Sequence, residues 1–386
     1  MTTAVTSGWE PVAAAFEDAF DGKPEMGAAV AVFHHGDLVV DLFGGPADLR
    51  TGEPWTEQTL SVIFSCTKGI VSLLVARLVQ DGLIDLDAPV TDYWPEFGAA
   101  GKERTLVRHL LAHRAGLSAP RVDLTSDDIL DWDRAVAILA AQRPLWTPGD
   151  GWAYHAITHG WLAGEVIRRV TGLSVGGYLQ QLVSGPLGVD AWIGLPAEQQ
   201  NRVAFLRAGA TLQELTRQQV AEQGQPGKEW LPRSMTLGGA LPPDLVAEGG
   251  FNEPRVRAAE IPGAGGVATA RALAAIWSAT VTPTRGTRLL DDSTLDLVLE
   301  PQVDGPPVFD VPPPWPRWGV GFQLGSQARE YLTASSFGHD GAGGQVAFAD
   351  RDHGIGFAFL TNQLEAIDDQ RATRIIDAVR ECLPRG

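Results

Sequence analysis

Ser65 and Lys68 stand one helical turn apart in Ser65-Cys66-Thr67-Lys68. A β-branched run, Leu60 to Phe64, leads in. Apolar residues then recur at Ile70, Val71, Leu74, Val75, Leu78 and Val79 up to Asp81-Gly82, a spacing that predicts a helix. Ser65 then lies in the first turn, where free backbone N–H groups and the positive dipole end favour developing negative charge. Lys68 shares its face and can bring an amine beside the hydroxyl. Such an amine activates a serine only if burial lowers its pKa. The same spacing also fits a serine cap with a solvated lysine. The chain has four lysines (Lys23, Lys68, Lys102 and Lys228), and Lys68 is the one placed at a helix start between apolar flanks.

Two further stretches supply what such a pair would need. Trp152-Ala153-Tyr154-His155-Ala156 follows Pro148-Gly149-Asp150-Gly151 and precedes a helix. A tyrosine there can share a proton with Lys68 and pass it to a leaving group. In Gly338-His339-Asp340-Gly341-Ala342-Gly343-Gly344 the glycines let a strand edge approach a ligand and leave an N–H free as an oxyanion donor. A core tyrosine and an ordinary glycine turn are the alternatives. Gly172-Leu173-Ser174-Val175-Gly176 spells a lipase-type nucleophile elbow, but a helix precedes it and Ser174 suits an N-cap. His109/His113 and His155/His159 are i, i+4 pairs without the glutamate of a zinc-protease motif, so packing is expected of them and no metal is implied. Trp152 and Trp315 could line an acyl pocket.

The elements that must position these groups run strand-rich, helix-rich, strand-rich. A helix is predicted at 9–21, a hairpin at 27–43, helices at 105–112, 161–170 and near 211–223, and a helix after Gly263–Val267. Residues 301–317 are too proline-dense for an element and read as a loop. Strands follow at 318–324, 337–339, 345–349 and 355–361, then an amphipathic helix at 366–383. The fold expected is α/β (α+β): one antiparallel sheet built from both ends, flanked by the terminal helices, with a mostly helical lobe inserted. Residues 1–60 and 261–386 would form the sheet domain and 61–260 the helical one, with the site in the cleft between them. The 386 residues carry a formal charge of −17, which argues against nucleic acid or anionic membrane as partner. Two cysteines make no disulfide framework, and Cys66 reads as a small buried helix residue. No signal peptide or long apolar run is read, so a cytoplasmic location is expected.

Taken together and in this order, the motifs resemble the serine β-lactamase/penicillin-binding-protein superfamily, in its class C β-lactamase-like branch and the family VIII carboxylesterases. The resemblance extends over Asp81–Asp87, His109–Leu117, Thr147-Pro148-Gly149 and Asn252-Glu253-Pro254 leading to Ile261-Pro262. It implies Ser65 as acylated nucleophile, Lys68 as activating partner, Tyr154 as the other proton-transfer group, and the N–H groups of Ser65 and Ala342 as oxyanion hole. Whether lysine or tyrosine is the base stays open. Two departures bear on substrate. Ala156 replaces the asparagine of Y-x-N. His339-Asp340-Gly341 replaces K-T-G, which removes a fixed cation that would pair with a β-lactam carboxylate. His339, Gly341, Trp152 and Ala156 are therefore the expected substrate-contacting positions.

The resulting expectation is a cofactor-free serine carboxylesterase acting on a small-molecule ester of short to medium acyl length through an acyl-enzyme. A β-lactamase- or D-aminopeptidase-like amide hydrolase, an acyltransferase, and a non-catalytic binding protein on the same scaffold are the rivals. Oligomeric state is not legible.

Overall fold

The computed structural model describes residues 2–222, 229–366 and 368–384. The main sheet contains β1 (Thr2–Val5), β2 (Ala28–His34), β3 (Asp37–Gly44), β4 (Arg317–Trp318), β5 (Gln323–Leu324), β6 (Ser336–Asp340), β7 (Val346–Asp350) and β8 (Ile355–Thr361). Its order is β1-β3-β2-β8-β7-β6-β5-β4, antiparallel throughout. The join between the two ends of the chain is the β2–β8 pair, with Ala31 opposite Ala358 and Val30 opposite Phe359.

Alternation along these strands sends side chains into two separate cores on the two faces. Val30, Val32, Leu42, Phe348, Phe357 and Phe359 pack under the terminal helices α1 (Glu10–Asp18) and, at the other end of the chain, Arg371–Cys382. The opposite face presents Ala29, Ala31, Ala347, Ala349 and Ala358. Those small residues let a central helix, Ala270–Val281, lie close. A Cβ on Gly356 would stand 2.3 Å from Ala274 O. The same side of the sheet receives α2 (Cys66–Gln80), which carries Lys68 and ends at Asp81 and the left-handed Gly82.

The helix-rich middle contains α3 (Thr158–Thr171), closed by the left-handed Gly172, and α4 (Ala210–Glu222). The central and terminal helices become α5 (Ala270–Val281) and α6 (Arg371–Cys382). Among the described residues, no helix is long and apolar enough to cross a membrane.

The structure differs from the sequence expectation in three places. The run 60–64 forms a strand only at Ser61–Val62, in a second, three-stranded antiparallel sheet with Gly266–Ala268 and Ala191–Ile193, while Leu60 makes an isolated parallel bridge to Val203. That pairing joins segments about two hundred residues apart, so no local pattern announces it. The strand expected at 318–324 is broken by a turn at the left-handed Gly321, where a Cβ would meet Ser72 Oγ on α2 at 2.1 Å. The last helix begins at Arg371 instead of 366, because Glu365 is engaged by the N–H and hydroxyl of Thr211 and Ala366 N–H donates to Thr211 Oγ1. The expected helix end at Gln223 lies outside the described residues, as does Ile367. Residues 301–316 form a loop without regular structure, as the prolines require.

Candidate active site

Ser65 is placed by an unusual turn. Phe64, just before it, holds φ at +43°, a left-handed conformation that a bulky residue seldom adopts. The turn is fixed from both sides. Thr67 Oγ1 donates to Phe64 O at 2.5 Å and accepts from Gly266 N–H at 2.9 Å, while Ile63 N–H donates to Gly266 O at 2.9 Å. The Phe64 ring meets Phe251 edge-on at 5.3 Å. The chain therefore turns sharply from the small sheet into α2, leaving Ser65 half-buried at the helix start.

Lys68 is completely buried. Its Nζ lies 3.1 Å from Ser65 Oγ, 2.6 Å from Ala156 O and 2.7 Å from Gly263 O. Burial holds its pKa well below the ordinary lysine value. A neutral amine has two N–H donors and one lone pair. The two carbonyls take both donors, which leaves the lone pair for the serine hydroxyl. Ala156 thus contributes through its carbonyl, whatever its side chain. The Gly263 carbonyl is brought in by a glycine-to-glycine approach, since a Cβ on Gly160 would stand 2.0 Å from Gly263 N.

Tyr154 reaches the same point from the loop before α3. Its ring centroid is 4.7 Å from Lys68 Nζ, and Trp318 stacks on it at 5.8 Å and 19°. Burial pushes the phenol pKa well above its usual value, partly offset by the Ser65 side chain beside the hydroxyl. The phenol is therefore a proton-bearing group at neutral pH. Behind it sit buried imidazoles. His113, itself left-handed at φ +60°, packs 4.9 Å from Tyr154, 5.0 Å from His159 and 5.7 Å from His155. Burial lowers the pKa of all three, His155 to about 4. Leaving the helix at His113 breaks the His109/His113 face, and no metal-ligating group forms among the described residues.

The Gly338–Gly344 segment borders the serine turn through β6. Cys66 Sγ donates to His339 O at 3.0 Å, and a Cβ on Gly341 would meet Ile63 O at 2.5 Å. Among the described residues, the N–H groups of Ser65 and Ala342 have no hydrogen-bond acceptor, whereas Gly341 N–H donates to Gln345 O at 2.7 Å. His339 Nδ1–H donates to Asp340 O at 2.6 Å. Its pKa falls to about 3, first from burial and then from Lys68, so it carries no charge near neutral pH. Asp340 pairs with Arg329 and accepts from the Tyr331 hydroxyl at 3.3 Å. Trp152 is buried under the proline-rich loop. Its Nε1–H donates to Gly305 O at 3.1 Å, and its side chain packs with Val303 and Trp318, with Trp315 and Tyr154 at the edge.

Ser174, in the lipase-like string, caps its helix by accepting Gly177 N–H at 3.1 Å and donates to Glu260 at 2.6 Å. Sequence reasoning missed Gly263 O, the His113 and Trp318 rings, and the Arg329–Asp340–Tyr331 cluster. A Pro-Gly at 262–263 was the visible signal for the first. For the others, contact with Tyr154 or Asp340 comes only from tertiary placement.

A serine with a buried amine at its hydroxyl, set between a helix start and a sheet edge, is the site of a serine hydrolase. The beta-lactamase family model matches residues 14–380, and the chain belongs to that family. Over 364 residues it is 35% identical to the esterase/beta-lactamase LipL of Mycobacterium tuberculosis, covering 92% of this chain and 81% of that protein. A family VIII carboxylesterase structure superposes with a TM-score of 0.86 at 33% identity over 99% of both chains. A penicillin-binding protein homologue from Caulobacter crescentus gives 0.85 at 35% identity over 99% of both.

Proposed function

We propose that the chain is a carboxylesterase for a neutral small-molecule ester, working through an acyl-enzyme on Ser65. The observation that carries this is the engagement of both Lys68 donors by Ala156 O and Gly263 O, which aims the remaining lone pair at Ser65 Oγ 3.1 Å away. Ser65 Oγ bonds to the ester carbonyl carbon as its proton passes to Lys68. The carbonyl oxygen takes up negative charge at the N–H groups of Ser65 and Ala342. Collapse breaks the bond to the alcohol oxygen, which receives the proton through Tyr154. Water then adds to the acyl-enzyme by the reverse route and releases the acid. On this reading the site lies between the sheet domain, 1–60 and 261–386, and the helical domain, 61–260.

Esterase is preferred over β-lactamase for an electrostatic reason. His339 stands where a lysine would pair with a substrate carboxylate, and burial keeps it neutral. The names of LipL and of the family VIII carboxylesterase support the same choice. The first of those names also keeps a β-lactamase activity as the second reading. The deciding measurement compares p-nitrophenyl acetate and butyrate with nitrocefin, with intact-mass detection of the adduct. Ester turnover with an acyl group mapped to Ser65 is expected. Nitrocefin turnover at comparable kcat/KM would overturn the choice.

A further inference from the structure

Beside the Gly341–Gly344 turn lies a cavity of about 330 Å³ that the serine chemistry does not by itself use. Its inner end is Gly341 and Ala342, packed against the serine turn. A Cβ on Gly341 would come within 3.3 Å of Cys66 Sγ as well as meeting Ile63 O. One wall is α4, whose half-buried Leu212 and Leu215 fall on one face by their spacing. Met235 and Leu245 also line it, so much of the lining is apolar.

The charged side chains in the lining are already engaged. Asp340 is paired with Arg329, Glu365 accepts from Thr211, and Asp369 is paired with Arg371. Three carboxylates therefore border the space, and among the described residues the one cation lining it, Arg329, is paired with Asp340. Among the described residues an anionic ligand would find no unpaired cation there, and the Glu365 carboxylate would oppose it.

Position distinguishes the acyl side from the alcohol side. The cavity begins at Ala342, the proposed holder of the carbonyl oxygen; Ser65 stands outside it across the Gly341 turn, and Tyr154, the proposed proton donor to the leaving alcohol, does not line it either. We infer that this cavity is the acyl pocket: it receives a neutral, apolar acyl group longer than acetyl and excludes one that ends in a carboxylate. Leu215 and Met235 are the size-determining residues. The inference rests on the esterase reading above and names the acyl class that this reading leaves open.

The test measures kcat/KM for p-nitrophenyl acetate, butyrate, hexanoate and the monosuccinate in wild type and in Leu215→Trp, Met235→Trp, Met235→Phe and Met235→Ala. Labelling of Ser65 by a small fluorophosphonate reports that the serine site of each variant is intact. The hexanoate-to-acetate ratio is expected to fall about tenfold or more in the Trp variants, less in Met235→Phe, and not to fall in Met235→Ala. In wild type, the succinyl ester is expected to react at least about tenfold slower than butyrate. A ratio unchanged in labelled variants would overturn the pocket, as would a change that follows the alcohol (methyl against benzyl butyrate). Equal rates for succinyl and butyryl esters would overturn the exclusion of anions. Failure of the esterase reading has a separate signature: wild type then neither turns over acetate nor carries an acyl group on Ser65.

Discussion

Lys68 Nζ faces Ser65 Oγ at 3.1 Å while both of its remaining donors are held by backbone carbonyls. On the proposed esterase mechanism, that arrangement favours Lys68 over Tyr154 as the base. Tyr154 is driven by burial to stay protonated, whereas Lys68 is driven to lose its proton. The two groups are pushed in opposite directions, which is how one site can hold an acceptor and a donor at one pH.

Replacing Lys68 separates charge from basicity. Lys68→Arg keeps a cation that does not deprotonate, and Lys68→Met removes the amine. Both are expected to lower kcat/KM by about a thousandfold, within the range for loss of a general base. A single-turnover measurement of Ser65 acylation checks this. Arginine retaining more than about a tenth of wild-type acylation would mean that positive charge, not proton removal, is what Lys68 supplies.

Tyr154→Phe keeps the stack on Trp318 and the packing against His113, so folding should survive. Losing the hydroxyl is expected to cost about a hundredfold or more in kcat with p-nitrophenyl esters. The loss should be larger with alkyl esters, whose alcohol needs a proton in order to leave. An equal loss with both leaving groups would show that the phenol acts on Ser65 and not on the alcohol.

The pH profile follows from the same shifts. Lys68 is active when neutral, so kcat/KM should fall on the acid side as Lys68 gains a proton, with the limb well below the ordinary lysine value. His339 at about 3 and His155 at about 4 are already neutral above those values and should add no step between pH 5 and about pH 8. His339→Gln should therefore leave the limb in place. A limb that disappears in this variant would reassign it to the imidazole.

Local pattern carried much of the site into view. The apolar spacing after Ser65 located α2 and put Lys68 one turn on, and the glycines of 338–344 marked where a strand meets that turn. What stayed hidden depends on partners distant in the chain. Nothing near Ser61 shows that it pairs with Ala268, and nothing near Gly160 shows that it must accept Gly263 at backbone distance. Lys102 shows the same limit. Nothing in Gly101-Lys102-Glu103-Arg104 marks it for burial, yet it is fully buried and donates to Ala99 O, Ala140 O and Gln142 O at 2.6, 2.9 and 2.6 Å. Lys102→Met would leave three carbonyls without their donor and is expected to cost about 2 kcal/mol of stability, read by chemical denaturation, with Ser65 labelling retained. A variant as stable as wild type would show that water can replace the ammonium there.

Gly160 gives the sharpest test of how Lys68 is held. A methyl at this position would collide with Gly263 N at 2.0 Å and with Pro262 C at 2.2 Å, both backbone atoms that cannot rotate away. The 262–263 segment must move, and the Gly263 carbonyl moves off Lys68 with it. Gly160→Ala should cost about 1–3 kcal/mol in stability. It should lower the acylation rate by up to about a hundredfold, because a displacement near 1 Å is enough to spoil a reacting geometry. With one N–H released, the amine is free to turn its lone pair from Ser65. The loss should therefore appear in acylation at saturating ester and leave the affinity of a non-hydrolysable ester analogue nearly unchanged. A destabilised variant that still acylates at the wild-type rate would show that Ala156 O alone suffices to orient the base.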